Sequence, residues 1–387
     1  MIGFRFGLKA LAALLILIPA NAIARDNLHG VPSPAQVPIV FLIDAGSGQV
    51  LYERNADRRF VPASMTKVMT TFTAFELMSA GELNPNTVFT VRPETFRQWR
   101  RKGSTMFLAS DSTPTVDQLM FGITTVSAND GSMVLAEGAA GSVDEWTLLM
   151  NANAQKIGMT NSHFANPNGW MDEGQTFVTA RDLSVLARAM ITRHPALFDR
   201  YVGRSEYQYG GITQSNHDPI IGNVRGAEGI KTGFTYEAGF GFLGSVKRAG
   251  RRLIMVVGGA DSSRIRRVAA QDLIEWGFDT FENRYLFDAE QMIGEARVQN
   301  GTSFSVPLVA NSAVRISVPK DAATNLTARI EYVGPLRAPI AEGEQVAELV
   351  VKGDDIPEAR IPLFTAKAVN VAGPLDRLMN AVMSWFV

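Results

Sequence analysis

Three short strings in a fixed order constrain this chain most: Ser64-Met65-Thr66-Lys67, Ser127-Ala128-Asn129 and Lys231-Thr232-Gly233. Residues three apart share one face of a helix, so the Ser64 hydroxyl and the Lys67 amine can meet. Serine is a poor nucleophile until a base takes its proton, and a desolvated lysine can be that base. Each string alone is weak. At average composition an S-x-x-K arises by chance about once or twice in a chain of this length, and a K-T-G in roughly one chain in ten. Their order and surroundings carry the weight.

Ser317-Val318-Pro319-Lys320 also fits S-x-x-K, but Pro319 opposes a helix and the neighbours read as strand. Around Ser64, by contrast, Met65, Val68, Met69 and Phe72 give an apolar face at helical spacing. Composition removes the competing chemistries. The chain has no cysteine, which excludes disulfides, thiolate metal sites and cysteine nucleophiles. Its four histidines (His29, His163, His194, His217) form no His-Glu-x-x-His, and no G-x-S-x-G is present. Neither a zinc hydrolase nor a Ser-His-Asp triad in a nucleophile elbow is expected, and no metal or cofactor is implied. A net charge of −1 gives no footprint for nucleic acid.

The 387 residues exceed one average domain, and their patterning divides them. Arg5 and Lys9 precede an apolar run from Ala10 to Ala20, and Ala22-Ile23-Ala24 offers a cleavage site, so 1–24 reads as an export signal peptide. Residues 30–282 form the main unit. A hairpin around Ala45-Gly46-Ser47-Gly48 leads into a mostly helical stretch from about 64 to 200, interrupted by an irregular loop from Asn166 to Gly174. Three extended runs follow (Ile230 to Thr235, Gly239 to Val246, Arg252 to Gly258), and a helix from Ile265 to Phe278 packs back on them. Short alternating segments make 283–361 a small all-β domain. In 362–387, Leu375, Leu378, Met379, Val382 and Phe386 share one helical face, the pattern of a segment lying in a membrane interface.

Taken together, the chain resembles the D-alanyl-D-alanine carboxypeptidases, the low-molecular-mass penicillin-binding proteins of the S11 serine peptidase type. Beyond the three strings, the likeness includes Gly103-Ser104-Thr105-Met106-Phe107, Asn161-Ser162-His163-Phe164, Thr179-Ala180-Arg181-Asp182 and Trp276-Gly277-Phe278. It implies an α+β fold: an antiparallel sheet flanked by helices with a helical subdomain, as in serine β-lactamases, plus the C-terminal β domain. The resemblance also implies removal of the terminal D-alanine from peptidoglycan pentapeptides, inhibition by β-lactams, and attachment to the periplasmic side of the inner membrane through the C-terminal helix.

By the same resemblance Ser64 is the acylated nucleophile, Lys67 its base and Ser127 the proton shuttle. Asn129 would bond the substrate amide. Lys231, Thr232, Gly233 and Phe234 would line the carboxylate and oxyanion positions, with the N–H groups of Ser64 and residue 234 as oxyanion donors. Arg266 would hold the terminal carboxylate, with Arg264 its near competitor. Several relatives carry histidine where this chain has Phe234. The chemistry requires a neutral Lys67, which burial and a second ammonium at Lys231 would favour, while Lys231 itself stays charged.

Three other readings stay open at this point. A class A β-lactamase shares the three motifs but needs a glutamate in an Ω-type loop, for which Glu173 is the candidate. A wall-binding protein that kept the fold without activity would have lost one of Ser64, Lys67, Ser127 or Lys231. D,D-endopeptidase or transpeptidase action would use the same acyl-enzyme with a different acceptor.

Overall fold

The computed structural model describes residues 30–320, 325–354 and 356–373. The expected signal peptide and the amphipathic stretch from Pro374 onward lie outside these. The first unit is built on a five-stranded antiparallel sheet. Strands β1 (Ile39–Asp44) and β2 (Val50–Arg54) form the expected hairpin. Next comes a single 3₁₀ turn, Ala63–Thr66, and then seven helices: α1 (Lys67–Ser79), α2 (Pro93–Trp99), α3 (Val116–Thr125), α4 (Asn129–Ala140), α5 (Val143–Lys156), α6 (Ala180–Arg193) and α7 (Pro195–Tyr201). A small hairpin of β3 (Glu206–Tyr209) and β4 (Ile212–Ser215) precedes the long strands β5 (Ala227–Thr235), β6 (Gly239–Arg248) and β7 (Arg251–Ala260), and α8 (Ser263–Thr280) closes the unit.

The spatial order is β2-β1-β7-β6-β5, which leaves β5, the strand of Lys231, at an edge. Both faces of the sheet are covered. Period-two alternation therefore sends Ile39, Phe41, Ile43, Ile254 and Val256 into the core shared with α1–α7. Val40, Leu42, Leu253, Met255 and Val257 go to the opposite core under α8. This two-sided burial is why these strands read as unbroken apolar runs.

Thr179 caps α6 by accepting from the Asp182 amide, but the Asp182 carboxylate does not complete a capping box. It accepts instead from the Asn161 amide and the Ser162 hydroxyl, at 2.9 and 2.7 Å, and so anchors the preceding loop.

The second unit has its own core, centred on Val306, Leu308, Ile316, Val351 and Leu363. Its strands are β8 (Phe281–Phe287), β9 (Met292–Gln299), β10 (Ser305–Val309), β11 (Val314–Pro319), β12 (Leu326–Glu331), β13 (Leu336–Arg337), β14 (Gln345–Gly353) and β15 (Ile356–Thr365). Strand pairing continues beyond residue 361, since β15 runs to Thr365 and Val369 and Val371 bridge to Ile340 and Gly301.

Ser317, the second S-x-x-K serine, lies on β11 and joins the two units. Its hydroxyl donates to Asp44 at 2.8 Å and accepts from Arg251 at 2.8 Å, and Arg251 pairs with Asp44 at 3.0 Å. The Gln49 carboxamide accepts from the Ser317 amide and donates to the Ser317 carbonyl. All four side chains are buried. Removing one partner strands a buried charge, so Arg251→Met should cost about 3–5 kcal/mol of unfolding free energy while penicillin labelling survives in the folded fraction. Urea denaturation followed by tryptophan fluorescence checks this, and an unchanged midpoint would show that the junction adds no stability.

Candidate active site

A cleft of about 700 Å³ lies where the 3₁₀ turn, the start of α4, the 166–174 loop and edge strand β5 meet. Ser64, Ser127, Asn129, Thr232, Gly233, Phe234 and Arg266 all line it, and Lys67 and Lys231 are buried at its floor. Ser64 and Lys67 do not share a regular α-helix, because α1 begins only at Lys67. The 3₁₀ turn has three residues per turn, which eclipses positions i and i+3 and brings the two side chains closer than an α-helix would. Ala63 holds a left-handed φ of 48° to launch the turn. The backbone there is packed so tightly that a Cβ on Gly169 would fall 1.8 Å from the Ala63 carbonyl oxygen, and one on Gly233 would fall 2.5 Å from that of Pro62. Gly233 therefore lets β5 lie against the turn.

The surroundings of Lys67 match a neutral amine. Its Nζ donates to Asn129 Oδ1 at 2.7 Å and to the Asn168 carbonyl at 2.5 Å, and lies 2.9 Å from Ser64 Oγ. Two N–H bonds satisfy the two obligate acceptors, and the remaining lone pair of an uncharged amine faces the serine hydroxyl. Burial holds the Lys67 pKa well below the ordinary lysine value, and the positive charge of Lys231 pushes the same way against a smaller opposing pull from Asp130.

Lys231 differs from expectation. Burial first, then the neighbouring Arg266 guanidinium, brings its pKa down to about 7, only partly offset by Asp218. Without a ligand carboxylate beside it, Lys231 is therefore partly neutral near pH 7 and not fully charged. Its Nζ donates to the Thr232 carbonyl at 3.1 Å.

Ser127 sits in the α3–α4 corner with φ 63°, a left-handed conformation that is costly for a residue with a Cβ and one often found at functional sites. The Asn129 carboxamide is largely committed. Its Oδ1 accepts from Lys67, and its Nδ2 donates to the Lys102 carbonyl at 2.9 Å. That leaves one lone pair and one hydrogen for anything bound in the cleft.

At the far end stand Arg266, exposed Arg264 and Arg267, and His217. Arg266 is 9% exposed; its Nη2 donates weakly to the His217 carbonyl at 3.5 Å, and its buried Nε has no hydrogen-bond partner among the described residues. An unused buried donor distinguishes Arg266 from its solvated neighbours. The only carboxylate among the described lining residues is Asp218, which accepts from the Ile220 and Ile221 amides. Glu173 is exposed and does not line the cleft, so it cannot activate water there as a class A β-lactamase requires. Among the described residues no group of three or more acidic or histidine side chains is placed to hold a metal.

A family model described as D-alanyl-D-alanine carboxypeptidase matches residues 34–262, and one for the penicillin-binding protein 5 C-terminal domain matches 281–371. The chain belongs to the D-alanyl-D-alanine carboxypeptidase family. It is 32% identical to D-alanyl-D-alanine carboxypeptidase DacC of Escherichia coli K12, over 98% of this chain and 96% of that one. It is 26% identical to DacF of Bacillus subtilis 168, over 96% of each. Among solved structures, penicillin binding protein 5 from Haemophilus influenzae matches with TM-score 0.74 and 29% identity, covering 87% of this chain and 98% of that one. An ampicillin-bound penicillin-binding protein D2 from Listeria monocytogenes covers 63% of this chain and 97% of its own, with TM-score 0.55 and 27% identity. This chain is thus a member of the D-alanyl-D-alanine carboxypeptidase family of penicillin-binding proteins, a family of serine hydrolases, with the α+β catalytic domain and C-terminal β domain of that family.

Several groups of the site carry no signal in the sequence. The Asn168 acceptor is a backbone carbonyl, and Trp170, His217 and Asp218 come from loops without a motif of their own.

Proposed function

We propose that Ser64 attacks the carbonyl between two terminal D-alanines while its proton passes to Lys67 Nζ, giving an acyl-enzyme and releasing D-alanine. The observation that carries this reading is the Lys67 environment: two acceptors for its N–H bonds and Ser64 Oγ at 2.9 Å on its remaining side. Ser127 returns the proton to the departing amine, and water then hydrolyses the ester. The amides of Ser64 and Phe234 receive the oxyanion, the latter from an edge strand whose outward N–H groups are unpaired within the sheet. Asn129 orients the base and keeps part of its carboxamide for the substrate amide. Thr232, Lys231 and Arg266 take the terminal carboxylate. β-Lactams acylate the same serine.

Arg266→Ala is expected to lower kcat/KM about ten- to hundred-fold on a peptide ending in free D-Ala-D-Ala, and much less on the C-terminally amidated peptide. Free D-alanine released from a pentapeptide, against monomers released from a cross-linked dimer, separates carboxypeptidase from endopeptidase action. Equal losses on the free and amidated peptides would move the carboxylate site to Arg264 or Arg267.

We also read residues 1–24 as an export signal and the C-terminal segment as an interfacial anchor. This places the enzyme on the periplasmic side of the inner membrane, in peptidoglycan maturation and cell shape. Among the described residues no helix is long and apolar enough to cross a membrane. A chain ending near Val371 should fractionate as soluble and still cleave peptides, whereas the full chain should sediment with membranes. Full-length protein found wholly in the soluble fraction would defeat the anchor.

A further inference from the structure

Outside the proposed chemistry, one side chain ties the two walls of the cleft together. Lys102 follows α2, and its Nζ lies 4.6 Å from the ring centre of Trp99 and 4.9 Å from that of Trp170. The two indoles meet edge to face at 5.9 Å. The ammonium has no hydrogen-bond or ion-pair partner among the described residues, so the aromatic rings are its counterpart.

Each ring belongs to a different wall. On one side, the Lys102 and Ser104 carbonyls accept from Asn129 Nδ2 and the Asn129 amide, at 2.9 and 2.8 Å. Asn129 Oδ1 in turn accepts from Lys67. On the other side, the Trp170 amide donates to Asn168 Oδ1 at 2.9 Å, and the Asn168 carbonyl accepts from Lys67. Gly103 fills the seam with φ 68°, and a Cβ there would meet Asn129 Nδ2 at 2.8 Å and Trp170 Cζ3 at 2.9 Å.

We infer that Lys102, gripped between Trp99 and Trp170, is a positioning residue that locks both walls and so fixes the two acceptors that orient Lys67 toward Ser64. The inference rests on the reading of Lys67 as the base. Lys67 is faced by Ser64 from the 3₁₀ turn, Asn129 and Asp130 from α4, Asn168 from the loop and Lys231 from β5. Loss of the grip leaves these charges in place but lets water reach the amine. Because burial is the main cause of the depressed Lys67 pKa, hydration raises it, and the acid limb of the acylation profile moves to higher pH.

The test is the second-order acylation rate of the full chain by a fluorescent penicillin between pH 5 and 10, with Lys102→Met, Lys102→Arg, Trp170→Leu and Lys67→Ala compared at matched thermal stability. Lys102→Met and Trp170→Leu should each acylate about ten-fold more slowly, with the acid limb raised by about half a pH unit or more. Lys102→Arg should recover to within about three-fold, because a guanidinium also binds aromatic faces. An unshifted profile for Lys102→Met with Lys67→Ala inert would overturn the positioning role alone. Normal acylation by Lys67→Ala would overturn the base assignment and this inference with it.

Discussion

Ser64→Ala is expected to abolish covalent penicillin labelling and to lower D-alanine release by at least about 10⁴-fold, leaving only the contribution of binding and oxyanion donors. The size of the loss follows from the site. Ser127 lines the same cleft, but it is held in a left-handed corner and, among the described residues, no lysine hydrogen-bonds it as Lys67 does Ser64. The other S-x-x-K serine offers no substitute. Ser317 is fully buried and bonded to Asp44 and Arg251 at the junction of the two units. The variant should fold normally, since among the described residues the hydrogen bond of Ser64 Oγ is the one with Lys67. Gel fluorescence after incubation with a labelled penicillin gives a direct readout. Stoichiometric labelling of Ser64→Ala would place the nucleophile elsewhere in the cleft, with Ser127 the first serine to replace next.

What the sequence makes legible are features that repeat or that chemistry ties to particular side chains. Apolar runs such as Ile39–Asp44 and Arg251–Ala260 declare themselves as strands because a doubly covered sheet leaves no polar face. The Ser64 and Lys67 pair is visible because nucleophile and base must be adjacent, and its spacing survives the change from α-helix to 3₁₀ turn. Groups that act through their backbone or their position in space stay hidden. The Asn168 carbonyl bears on Lys67 across a hundred residues of chain and could be any residue's carbonyl. The lowered pKa of Lys231 comes first from burial and then from Arg266, a meeting of β5 and α8 that no spacing encodes. The commitment of Asn129 to Lys102 is hidden for the same reason. Ser317 shows the converse case, in which a string that matches a motif serves the packing of β11 on the first unit.

The pH dependence of kcat/KM follows from the two lysines and gives the second large effect. In the proposed reaction Lys67 must be neutral to accept the Ser64 proton, so the rate is expected to rise as pH climbs through its depressed pKa. Lys231 must be protonated to draw in the substrate carboxylate, so the rate on a free-carboxylate peptide falls as pH passes about 7 in the unliganded enzyme. The result is a bell, whose limbs belong to the coupled pair of lysines and not to either alone. Bound carboxylate favours the Lys231 ammonium, so the alkaline limb of kcat should lie at higher pH than that of kcat/KM, and an amidated substrate should lack it. Lys67→Ala removes the base and should slow acylation by about 10²–10⁴-fold at neutral pH. Arg266→Ala acts in the opposite sense on the profile. Removing a cation beside Lys231 makes its ammonium easier to hold, so the alkaline limb moves upward even as the rate itself drops. A limb that stays in place in Arg266→Ala would show that Arg266 does not set the charge of Lys231, and normal acylation by Lys67→Ala at neutral pH would assign the base to another group.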